Sequence, residues 1–188
     1  MKPKMIVMMG GQGTGKGTHA KTLIERDGYG YVEAGAILRT LPPESPIAQI
    51  MARGELVPDN DLFDIIRDAI AKTNGDVILD GFPRTVPQAQ WLVSNYADKY
   101  DIRIIFLDVP ESVMIARIQK RIREGGGRPD DANPDAIRRR LDNFWNVTMR
   151  AVEWLRDSAI GIRFAAVDVS GEITSENFAR VSNAIGND

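Results

Sequence analysis

Residues 5–22, MIVMMGGQGTGKGTHAKT, constrain this chain more than any other stretch. Met5–Met9 is an apolar run of strand length. Gly10, Gly11, Gly13, Gly15 and Gly17 follow within eight positions, and from Lys16 the residues favour helix. A buried strand, a glycine loop and a helix start, in that order, make a phosphate-binding loop. Glycines let backbone N–H groups converge on an anion without Cβ obstruction, and the helix N-terminus adds a partial positive charge. The Lys16 ammonium supplies a full charge for the β- and γ-phosphates, and a nearby hydroxyl can hold Mg²⁺.

Around that loop the chain reads as one α/β domain. Its 188 residues, 43% of them hydrophobic, suffice for a single core. A net charge of −2 offers no global attraction to nucleic acid or to an anionic membrane. The N-terminal apolar run is too short for a membrane span, and zero cysteines exclude a disulfide framework and a four-cysteine zinc site. A cytoplasmic protein with neither nucleic-acid nor membrane partner is expected. Five short apolar runs (Met5–Met9, Gly30–Val32, Val77–Asp80, Ile102–Leu107 and Ile162–Val167) fit buried parallel strands. Helical patterns lie between them, at 16–26, 47–53, 60–72, 87–99, 111–123, 134–157 and 174–185. Such alternation predicts right-handed βαβ crossovers. The triple glycine at 125–127 is the one obvious hinge.

The loop spacing is Gly10-x4-Gly15-Lys16, but Gly17 follows the lysine and the hydroxyl waits until Thr18. This variant, GxxGxGKGT, resembles the loop of the adenylate kinase-like nucleoside monophosphate kinases. Asp80-Gly81-Phe82-Pro83-Arg84 resembles a second hallmark of that family, DGFPR, and Arg128-Pro129-Asp130-Asp131 resembles its lid motif R-x-D-D. The similarity spans nearly the whole chain. It implies a P-loop fold with a five-stranded parallel sheet flanked by helices, an acceptor-binding lobe at about 34–59 and a short lid at about 122–133. The implied activity is transfer of the γ-phosphate of ATP to AMP, giving two ADP, with Mg²⁺ and as a monomer.

The resemblance also assigns residues. Gly13, Thr14, Gly15, Lys16, Gly17 and Thr18 take the ATP phosphates, with Arg117 on the donor base beside Gly171. Arg39 and Arg84 take the acceptor phosphate, and Ala34, Gly81, Phe82, Pro83, Gln88 and the segment Glu55-Leu56-Val57 surround the acceptor. Arg121, Arg128 and Arg140 gather on the phosphates, with Arg139 as the alternative to Arg140. The catalytic set is Lys16, Arg84, Arg121, Arg128 and Arg140.

Physical chemistry supports these assignments. A guanidinium forks onto phosphate oxygens and stays charged. Asp80 follows a buried strand beside the loop, where one carboxylate suffices to hold Mg²⁺ through water. Eight basic residues against four acids between 117 and 140 leave +4 locally. Asp59 is a plausible N-cap for the helix from 60, and His19 reads as a helix-surface residue. Three positions, Glu33, Ala34 and Ala36, depart from the family's S-T-G-D-x-L-R pattern, while Gly35, Leu38 and Arg39 match. Ala34 stands where adenylate kinases carry a threonine facing the base, and UMP/CMP kinases commonly carry alanine there. Ala36 stands where an acid is usual. Gln88 argues for adenine and Ala34 leaves room for a pyrimidine, so one alternative is a UMP/CMP kinase; the departures over Glu33–Ala36 make a nucleotide-binding sensor with weak transfer the other.

Overall fold

A computed structural model describes residues 2–127, 131, 133–172 and 174–186. Strands β1 (Lys4–Met9), β2 (Gly30–Glu33), β3 (Val77–Asp80), β4 (Asp101–Asp108) and β5 (Arg163–Asp168) form a parallel sheet in the order β2-β3-β1-β4-β5. β1 is central, and Met5 through Met9 are at most 3% exposed. Helices cover both faces of such a strand, which explains an apolar run without alternation. The chain passes from β1 to β2 on one side, β3 fills the gap, and β4 opens the other side. Ligands in sheets of this type bind outside the carboxyl ends of the strands at such a reversal, which here is the end of β1.

The helices are α1 (Lys16–Asp27), α2 (Ala34–Arg39), α3 (Pro46–Ala52), α4 (Asp59–Ala71), α5 (Val86–Tyr96), α6 (Glu111–Arg123), α7 (Pro134–Asn143), α8 (Met149–Asp157) and α9 (Ser175–Ile185). Two differences from expectation matter. Residues 34–39 form a short helix, although the helical patterns of the sequence leave them out. The single helix expected over 134–157 is interrupted by a π-helical segment, Phe144–Thr148. Asn133 caps α7 as expected, its side chain accepting from the N–H groups of Asp135 and Ala136 ahead of Pro134.

His19 is not on the surface. It is 1% exposed beneath α9, with the Phe178 ring edge-on at 4.9 Å. The helical pattern of 16–26 could not show that a helix 150 residues later would cover it. Neither ring nitrogen has a hydrogen-bond partner. Burial, aided by the charge of Arg117, lowers the imidazole to about 4, so the folded protein holds it neutral. The unfolded chain binds a proton near pH 6.5, so this contribution to stability is complete above that pH and is lost as pH falls toward 4. The full loss is about 3 kcal/mol. Thermal melts between pH 7.5 and 4.5 should therefore show a fall that His19→Phe flattens.

Gly54 sits at φ +74°, and a Cβ there would lie 2.5 Å from the Ala136 carbonyl oxygen of α7. Only glycine combines that backbone conformation with so close an approach. Gly54→Ala is expected to cost about 2–3 kcal/mol, read as a fall in Tm of roughly 5–10 °C.

Candidate active site

The carboxyl ends of β1, β2 and β3 open into a cleft of about 1150 Å³. Its floor is the glycine loop. Gly10, Gly13 and Gly15 all have positive φ, and a Cβ on Gly13 would lie 2.6 Å from the Met114 carbonyl oxygen. The loop can thus lie flat on α6 and turn its N–H groups outward. Lys16 Nζ donates to the Gly10 and Gly11 carbonyls at 2.8 and 3.0 Å, which folds its stem back over the loop. Gly17 and Thr18 line the cleft, whereas Thr14 is buried and its hydroxyl donates to the Gly11 carbonyl.

At the donor end, the Arg117 guanidinium donates to the carbonyls of Val169 (2.7 Å) and Gly171 (2.5 Å). It also reaches those of Gly13 and Thr14, at 3.4 Å each. It spans from the glycine loop to the turn after β5. Above the loop, Arg121 (α6) and Arg140 (α7) line the cleft and share one carboxylate. Asp131 accepts from Arg121 at 2.5 Å and from Arg140 at 2.6 Å, and its side chain is 1% exposed. Arg139 turns the other way, donating to the Arg53 carbonyl and to Glu55. Of the two candidates, Arg140 is the one in the cleft. Arg128 lies outside the described residues.

The opposite wall carries the residues that the resemblance assigns to the acceptor. Arg39, Glu55, Leu56, Gly81, Pro83 and Arg84 line it, and Arg84 Nε donates to the Gly81 carbonyl at 2.8 Å. Ala34, Val57, Phe82 and Gln88 are brought to the same wall but lie buried behind its surface. Gln88 is held at both ends, its Nε2 donating to Asp59 at 2.7 Å and its Oε1 accepting from the Arg84 N–H. Asp59 does not cap α4, because it is the first helical residue. Its carboxylate instead accepts from Gln88 and from the Thr85 hydroxyl. An acid at the start of a helix reads as a cap, and the α5 partners that claim it are 26 and 29 residues away.

Asp80 ends β3 and is 5% exposed, lining the cleft with Lys16 and Thr18. Among the described residues no group of three or more His, Asp or Glu side chains could cage a metal. One carboxylate and one hydroxyl, both hard oxygen donors, suit Mg²⁺, which keeps most of its waters.

A model of the adenylate kinase family matches residues 8–160. The chain belongs to the adenylate kinase family. It is 36% identical to an adenylate kinase of Porphyromonas gingivalis over 79% of this chain and 80% of that protein. It is 32% identical to an adenylate kinase of Thermus thermophilus over 96% of each. Chicken adenylate kinase isoenzyme 1 shares 30% identity over 84% of this chain and 83% of its own. The five-stranded parallel sheet and its phosphate loop are those of an adenylate kinase. Within that frame, sequence reasoning passed over three groups that contact the cleft or its wall. Gln12, inside the loop, donates to the Ile137 carbonyl of α7 at 2.9 Å. Asn143 donates to the Gly54 carbonyl at 3.0 Å. Tyr31 reaches both Asp80 and Glu33. Among the described residues no helix is long and apolar enough to cross a membrane.

Proposed function

We propose that this chain transfers the γ-phosphate of ATP to AMP, giving two ADP. One observation carries the reading. A single cleft sets Lys16, Arg121 and Arg140 over the glycine loop and faces them with Arg39 and Arg84 from the acceptor wall. Two polyanions can be held there end to end. The acceptor is already an ionised phosphate, so no general base is needed, and His19, buried and neutral, has no part in the chemistry. Transfer requires in-line positioning and offset of negative charge as the bond loosens. Lys16 and the arginines supply the offset, working best once water is excluded. Asp80 and Thr18 would hold Mg²⁺, which adds charge neutralisation at the β/γ-phosphates when bound.

We assign the moving parts to the acceptor lobe at about 34–59 and to a lid at about 122–133, of which residues 128–130 and 132 lie outside the described ones; Gly125, near its start, has φ +75°. Closure keeps the reacting phosphate from water, so reopening limits turnover. A coupled assay with Mg·ATP, offering AMP, UMP, CMP, dAMP and GMP separately, tests the reading. Rapid ADP formation with AMP supports it, and preference for UMP or CMP assigns the pocket to a pyrimidine through Ala34. Bound ATP with no transfer to any acceptor overturns it.

A further inference from the structure

Position 36, where the family pattern places an acid, is alanine here, and a carboxylate stands three residues earlier, at Glu33. Glu33 closes β2 and is paired in register with Asp80, the last residue of β3. Both line the cleft. Glu33 Oε1 accepts from Arg39 at 2.7 Å, and its other oxygen lies 3.3 Å from the Tyr31 hydroxyl, which is also 3.1 Å from Asp80. Arg39, Glu33, Tyr31 and Asp80 thus form one connected chain from the acceptor wall to the strand end beside the phosphate loop.

We propose that Glu33 is a positioning residue for the acceptor phosphate, aiming Arg39 from the end of β2. This rests on the kinase reading above. The argument is geometric. Glu33 takes one of the two terminal nitrogens of the guanidinium, which leaves further N–H groups for a phosphate. The guanidinium lies over Gly35, where even a Cβ would come within 3.0 Å of it. Glu33 itself is anchored by the rigid strand end, so the carboxylate fixes a long side chain that would otherwise sample many rotamers. An acid at the end of β2 does this without any side chain at position 36. The carboxylate also repels a phosphate dianion, and a pair of variants separates the two effects.

Glu33→Ala is expected to raise KM for AMP about 10-fold, with kcat within about twofold and KM for ATP unchanged. Glu33→Gln, whose amide oxygen still accepts from Arg39, should stay within about threefold of the unsubstituted protein. Because Glu33 acts through Arg39, adding Glu33→Ala to Arg39→Ala should cost nothing further. Direct titration of AMP in the absence of ATP should give the same ratios without turnover. Tighter AMP binding in both Glu33 variants would make the carboxylate a competitor of the phosphate and overturn the proposal. So would equal weakening of AMP and ATP, or additivity with Arg39→Ala. An unsubstituted protein that neither binds AMP nor transfers to it removes the kinase reading and this inference with it. An active one with an indifferent Glu33→Ala removes the inference alone.

Discussion

Replacing Lys16 with methionine is expected to lower kcat about 10²–10³-fold while KM for ATP rises only several-fold. Methionine keeps most of the stem's volume and removes the charge. In the structure Nζ donates to the Gly10 and Gly11 carbonyls, so the ammonium is held over the loop before any nucleotide arrives. A preorganised donor of this kind costs no reorganisation when charge shifts onto the bridging oxygen, and removing one typically costs that factor. The loop's backbone N–H groups survive the substitution, because its shape is set by positive-φ glycines and by contact with Met114. Ground-state binding of the phosphates therefore persists. Steady-state kinetics alongside an equilibrium ATP titration separate the two effects. A kcat within tenfold of the unsubstituted enzyme would mean that Lys16 only shapes the loop.

The parts of this protein that sequence made legible are those whose physics is local. Met5–Met9, the glycines and Lys16 are contiguous, and their periodicity and backbone freedom define strand, loop and helix together. Asp80 and Arg84 reach the cleft because Asp80 ends a buried strand and Arg84 lies in the loop just beyond it. What was missed depends on distant partners. His19 became a core residue because α9 covers α1. Asp59 ceased to be a cap because α5 presents Thr85 and Gln88 to it. The π segment was invisible for a different reason. Residues 134–157 keep a helical pattern throughout, and a widened turn leaves no compositional mark. Phe144 and Thr148, at the two ends of the π segment, line the cleft along with Arg140.

Asp131→Ala is expected to lower kcat about 10²-fold, although Asp131 faces two arginines rather than the reacting phosphates. Its carboxylate is nearly inaccessible and accepts from Arg121 on one oxygen and Arg140 on the other. Without it, two guanidiniums from different helices stand together with no shared counter-charge, and each relieves the repulsion by turning toward water. Both then lose the aim for which a preorganised cation is worth 10²–10³ in rate. Stability should fall by only about 2 kcal/mol, below the 3–5 kcal/mol of a wholly buried pair, because Arg121 keeps 28% of its side-chain surface exposed. Assays run well below the melting temperature therefore isolate the kinetic effect. Asp131→Asn offers one acceptor in place of two and should recover part of the loss. If Asp131→Ala left kcat within threefold, the arginines would be aimed by the nucleotide alone. The local charge of +4 then has a physical reading: one buried acid, accepting from Arg121 and Arg140, holds two of its arginines converged on the cleft.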